Sequence, residues 1–158
     1  MKIQQNKNLI LIPKKQMNNN KEFIQINYST EIKLNFNVKE FIKNALNIFN
    51  FQLIFFELSF TNDEQIKQIH NQYLNLNTTT DVITFNLNNL EEPHGDIYIC
   101  IDEAKRNAKS LNHCLDYEIK TLIIHALLHL IGYTDTTKAE KEKMFKEQDR
   151  LLNLLTTA

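Results

Sequence analysis

Ile123-Ile124-His125-Ala126-Leu127-Leu128-His129-Leu130-Ile131-Gly132-Tyr133-Thr134-Asp135 is the most apolar stretch of the chain. Leu122, Ile123, Ile124, Leu127, Leu128, Leu130 and Ile131 surround the helix it forms on nearly every side, so that helix is buried and the domain is built around it. His125 and His129 are four residues apart, which puts both imidazoles on one face, about 6 Å apart along the axis. Placing two histidines in such surroundings is costly unless both find partners. Gly132 is a natural stop, because it takes the left-handed conformation that ends helices. The chain then folds back and presents Asp135 to the same point. Two neutral imidazoles and one carboxylate are the ligand set of a zinc site: one ion, three protein ligands and one open position, where chemistry occurs.

Working outward, 158 residues with 42% hydrophobic content predict one domain with a real core. No run approaches the eighteen apolar residues of a membrane span, so no membrane partner is expected. The first residues lack a signal-peptide apolar region, from which a cytoplasmic location follows. In that compartment Cys100 and Cys114 are expected to be buried thiols, not a disulfide. The net charge of -1 excludes an indiscriminate polycation, but its distribution is uneven. Lys2, Lys7, Lys14, Lys15 and Lys21 precede the first acid, Glu22, and without them 13 basic and 19 acidic groups remain. Residues 1–25 therefore read as a basic, flexible N-terminal extension, either a solvated tail or an arm that touches RNA phosphates, and residues 26–158 as the domain that carries the metal site.

With two Gly and two Pro in the whole chain, Asn and Asp must supply most turns and caps. Asn18–Asn20 and Asn86–Asn89 read as loops. Period-two alternation predicts a strand over Glu31–Phe36, followed by a helix over Val38–Phe49 with Phe41, Ala45 and Ile48 inward. Further strands are expected over Gln52–Phe60, Thr80–Leu87 and Gly95–Ile101. A helix capped by Asn62 or Asp63 runs to Leu74 with Ile66, Ile69 and Tyr73 inward, and Asp102 caps another through Lys109. The histidine helix should run from Asp116 to Gly132. The last, Lys138–Leu155, buries Met144, Phe145, Leu151 and Leu152, while its charges form a solvated face with i, i+4 pairs. The fold class is α+β: one domain, a small and roughly four-stranded sheet packed against about five helices, with the metal site at the end of the buried helix.

A zincin peptidase carries Glu directly after the first histidine as general base, and this chain has Ala126 there, which disfavours that chemistry. His125-Ala126-Leu127-Leu128-His129-Leu130-Ile131-Gly132-Tyr133 instead resembles the signature of the YbeY family of endoribonucleases, the bacterial rRNA maturation factors. Tyr73 with Thr80-Asp81-Val82-Ile83-Thr84-Phe85, and Gly95-Asp96-Ile97-Tyr98-Ile99-Cys100, resemble two further family blocks. The likeness covers roughly residues 28–155, and the order and spacing of three blocks make it specific.

Three departures stand out. Ala126 replaces the usual Gly, Asp135 stands where the family usually has a third histidine, and Leu74 replaces an Arg suited to holding phosphate. Lys67, Arg106 or Lys120 are the cations left to substitute for it. The resemblance implies a zinc-dependent endoribonuclease for single-stranded RNA, acting in 16S rRNA 3′-end maturation and ribosome quality control. Its implied partners are rRNA and the small ribosomal subunit, with no DNA. His125, His129 and Asp135 would be its ligands and catalytic centre. Asp81 and Asp96 would accept the spare N–H of a ligand histidine, or serve as turn and cap carboxylates. His94 is a general acid–base candidate or a plain loop histidine, while His113 lacks a second metal-binding pair and His70 reads as a surface position. A non-catalytic, metal-stabilised ribosome assembly factor is the alternative, which Leu74 makes credible; a zinc peptidase comes third.

Overall fold

The computed structural model describes residues 2–3, 23–50, 55–86 and 94–156. In chain order the elements are β1 (Lys2–Ile3), β2 (Phe23–Tyr28), α1 (Val38–Phe49), β3 (Phe55–Thr61), α2 (Asp63–Leu74), β4 (Val82–Asn86), β5 (His94–Cys100), α3 (Ile101–Ser110), α4 (Leu115–Leu130) and α5 (Lys138–Thr156). The sheet order is β1-β4-β5-β3-β2, with β4 and β5 antiparallel and the other neighbours parallel. Among the described residues, four strands of five to seven residues, extended at one edge by the two-residue β1, and five helices make this an α+β domain.

The two faces of the sheet carry different layers. Phe56, Leu58 and Phe60 of β3 and Ile97 and Ile99 of β5 join Ile123, Ile124, Leu127 and Leu128 of α4 in the main core. Successive strand residues point to opposite faces. Ile83, Phe85, Cys100 and the partly buried Tyr98 therefore meet Ile66 of α2 on the other side. Gly95 sets how near α4 comes: a Cβ there would lie 2.5 Å from Leu130 Cδ1. The end of the helix rests directly on β5, and Asn86 Nδ2 donates to the Leu130 carbonyl at 3.3 Å.

Asparagine does the punctuation that glycine leaves undone. Asn37 and Asn62 cap α1 and α2, the latter in a reciprocal capping box with Gln65. Asn50, Asn75 and Asn112 take positive φ at the ends of their turns.

Several expectations are corrected. Glu31–Phe36 is not a strand; Ile32, Leu34 and Phe36 pack alternately on the main core without a ladder, and Asn35 is tied to the Asp116 carboxylate at 3.0–3.3 Å. Alternation there records burial without pairing. The missing strand is β2, in register with β3 from Phe23↔Phe55 to Tyr28↔Phe60 and starting inside the stretch assigned to the extension. Asp102 does not cap its own helix; it accepts from Asp63 N at 3.0 Å, at the start of α2. His70 is buried, with Nδ1 2.8 Å from the Thr78 carbonyl oxygen. Ile48, Tyr73 and Phe145 are exposed. Both cysteines are free, but Cys114 is exposed. Asn18–Asn20, residues 87–89 and the start of the Gln52 strand lie outside the described residues. Among the described residues, no helix is long and apolar enough to cross a membrane.

Candidate metal centre

Burial fixes the orientation of α4. Ile119, Ile123, Ile124, Ala126, Leu127, Leu128 and His129 are fully buried, and His125 sits at the margin where the helix meets solvent. The chain leaves α4 at Gly132, whose φ of 107° disfavours side chains there, while Tyr133 N reaches back to the Leu128 carbonyl at 2.9 Å. That turn brings in Asp135. His125 Nε2 and His129 Nε2 stand 3.1 Å apart, and Asp135 Oδ2 is 3.8 Å from His129 Nε2. All three donor atoms fall within 4.8 Å of one another, so the expected trio does converge.

The outer nitrogens decide what this cluster is. His129 Nδ1 lies 3.0 Å from the Tyr133 carbonyl oxygen, which only accepts, so Nδ1 carries the proton. His125 Nδ1 lies 3.1 Å from Gln148 Oε1 and is likewise the donor. Both Nε2 lone pairs then face each other with no proton between them. Burial pushes both imidazoles below their ordinary range, His129 to about 4, so a shared proton is disfavoured near neutral pH. A cation resolves that repulsion. Two nitrogens held tetrahedrally by one zinc at ~2.0–2.1 Å sit about 3.3 Å apart, close to the separation found. The residues fit a metal with three protein donors and one position left open.

The partners of the ring N–H groups differ from expectation. Asp81 Oδ1 accepts from its neighbour Val82 N at 2.8 Å and Oδ2 from Asn107 Nδ2 at 3.3 Å, which ties β4 to α3. Asp96 faces away from α4, with Tyr98 donating to its Oδ2 at 3.1 Å. Burial and the cross-strand Glu57 push its carboxyl up to about 6. Neither carboxylate bonds His125 or His129, because Asp81 is taken by Val82 N and Asn107 and strand parity turns Asp96 to the other face. The holders are Gln148 and the Tyr133 carbonyl. Gln148 was missed, although it is a polar residue on the Met144–Leu151 buried stripe of α5 and that break was readable. Removing such a partner typically costs 10–100-fold in metal affinity. Gln148→Leu is expected to weaken the site by that factor while the fold persists, as measured by competition with a chromogenic chelator.

The other candidates lie apart. His94 shares the Asp96 face, its ring edge-on to Phe55 at 4.5 Å. His113 pairs with the buried Glu118 at 2.6 Å. Of the cations considered in place of an Arg at Leu74, Arg106 is held by Asp63 and Glu103. Lys120 lies over the Phe36 and Phe41 rings, and Lys67 is exposed on α2. A second group, Asp63, Cys100 and Asp102, also has converging atoms, but the Arg106 guanidinium already neutralises Asp63. Beside the ligand turn lies a pocket of about 360 Å³ lined by Ile131, Gly132, Tyr133, Thr134, Glu140 and Lys143.

Residues 8–156 match the family model described as Endoribonuclease YbeY. A relative named Endoribonuclease YbeY from Mycoplasma mycoides is 36% identical over 145 residues, spanning 83% of this chain and 88% of that protein. Another of that name from Acholeplasma laidlawii is 41% identical over 98 residues, spanning 61% and 72%. Among solved structures, the solution structure of TM1509 from Thermotoga maritima superposes with a TM-score of 0.58 at 22% identity, covering 84% of this chain and 89% of that one. That last likeness establishes the fold.

Proposed function

The chain belongs to the Endoribonuclease YbeY family, and from that premise we propose that it is a metal-dependent endoribonuclease of single-stranded RNA. We assign it to maturation of the 16S rRNA 3′ end and to ribosome quality control, in the cytoplasm, with rRNA and the small ribosomal subunit as its partners. The observation that carries the reading is the pair of bare Nε2 atoms at 3.1 Å with a carboxylate beside them.

His125, His129 and Asp135 would hold the ion, and zinc suits their donor set. When bound, the metal supplies Lewis acidity toward a phosphoryl oxygen or an attacking water. The protein's own contribution is orientation. Gln148 and the Tyr133 carbonyl lock both rings with Nε2 inward, and the apolar wall of α4 and β5 keeps water from the buried side. Asp135 is one-third exposed, so this edge of the cluster is open to solvent and accessible to a long polymer.

A non-catalytic assembly factor is the second reading, favoured by Leu74 at the end of α2, where the family carries its Arg. The two separate in one experiment. Metal content and cleavage of a single-stranded oligoribonucleotide are measured for the wild type and for Asp135→Ala. Endoribonuclease function predicts cleavage by the wild type, with metal and activity lost together in the variant. Metal-loaded wild type that binds small-subunit particles and leaves RNA intact establishes the assembly factor instead. Full metal and full activity in Asp135→Ala remove that residue from the ligand set.

A further inference from the structure

Phe145 is the element of the α5 stripe that does not go inward. Its neighbours Met144 and Gln148 are buried, yet Phe145 is 41% exposed. Its ring lies 6.4 Å from the His125 ring, centroid to centroid, with the planes inclined by 35°. An exposed aromatic face therefore stands beside a metal ligand. Lys141, one turn earlier, places Nζ 5.6 Å from the centre of that ring. On the other flank, Lys143 Nζ stands 5.7 Å from the centre of the Tyr133 ring, where it also lines the pocket next to the ligand turn.

The charges on this helix only look balanced in the sequence. Glu142 is taken by Lys138 at 4.0 Å and Glu147 by Arg150 at 2.6 Å. Glu140 accepts from Thr136 Oγ1 and Thr137 N at the start of the helix. Those contacts leave Lys141 and Lys143 outside any ion pair among the described residues, next to the site, in a chain whose overall charge is slightly negative. Three of the four acids of α5 thus have local partners, while two of its lysines stand against the Phe145 and Tyr133 rings.

We propose that Phe145 is a stacking platform for a base of the bound single-stranded RNA, and that Lys141 and Lys143 hold the phosphates on either side of it. The proposal rests on the endoribonuclease reading and adds how the substrate is gripped. An aromatic face accepts any base, and a flanking cation binds any phosphate, so the grip is tolerant of sequence. It also supplies positive charge at a different place from the missing arginine: α5 in place of the end of α2.

The chain contains no tryptophan, so Phe145→Trp introduces a single tryptophan at the platform, excited selectively over the five tyrosines. The metal-loaded full chain is titrated with a non-cleavable 2′-O-methyl oligoribonucleotide and with a version carrying abasic positions. Stacking predicts strong quenching by the first and little by the second. Phe145→Ala should raise KM for RNA by roughly 5- to 150-fold, the usual loss for one stacked base, with kcat within about twofold and Phe145→Tyr restoring KM. Lys141→Gln and Lys143→Gln should each flatten the log-log salt dependence of binding by about 0.7. Equal quenching by the abasic strand, or an unchanged KM in a Phe145→Ala protein that still cleaves RNA, overturns the platform and leaves the endoribonuclease reading standing. A wild type that neither binds nor cleaves RNA overturns both.

Discussion

His129→Ala is expected to yield a folded protein that carries no tightly held metal and cleaves RNA at least about 100-fold more slowly. Partners outside the ligand set act on a scale of roughly 10–100-fold, and removal of a ligand must exceed them. His129 is fully buried and sits between His125 Nε2, the Asp135 carboxylate and the Tyr133 carbonyl. Its loss leaves two donors, which cannot fix the geometry of a small divalent cation. Metal analysis after gel filtration, alongside far-UV circular dichroism, checks both halves. Wild-type metal content in His129→Ala would mean that the ion sits elsewhere.

Ala126→Glu tests the exclusion of peptidase chemistry. The substitution restores the residue order of a zincin, in which the glutamate after the first histidine serves as base. In this fold Ala126 is fully buried within the main core, packed with Leu127 and the sheet. A carboxylate there loses its hydration without a cationic partner and overfills a packed site. Together these effects should destabilise the protein by about 3–5 kcal/mol, a large part of the stability of an ordinary domain. Urea unfolding should show a markedly lower midpoint, and casein should remain uncut. A stable Ala126→Glu protein that hydrolyses casein would show that this side of α4 reaches the substrate.

What the sequence reveals of this site depends on how local each signal is. His125, His129 and Asp135 lie within eleven residues, and helical spacing followed by Gly132 is enough to bring them together. Gln148 is set by the packing of α5 on α4, a tertiary fact. Only its position among Met144, Leu151 and Leu152 hinted that a polar partner was needed in the core. Asp81 and Asp96 look alike in sequence but not in space. One is held by the adjacent Val82 N–H and by Asn107 of α3, and the other is turned by strand parity toward the face opposite α4.

The strands divide in the same way. β4 and β5 are legible from β-branched and aromatic alternation, with β4 starting at Val82 and β5 shifted one residue earlier to His94–Cys100. Glu31–Phe36 alternates just as regularly yet forms no ladder, whereas Phe23–Tyr28 supplies the pairing edge of β3. Side-chain alternation reports which residues are buried; which backbone finds a partner depends on where the rest of the sheet lies. The buried His70 and exposed Phe145 extend the point, since helical periodicity does not say what covers a stripe.

The direct test of the metal centre is X-ray absorption at the metal edge of the purified, metal-replete protein. Two imidazole nitrogens and oxygen donors only, at about 2.0–2.2 Å, with near one ion per chain, are the expected result. Sulfur scattering at about 2.3 Å, which would implicate Cys100 or Cys114, or failure to retain any ion, would contradict it.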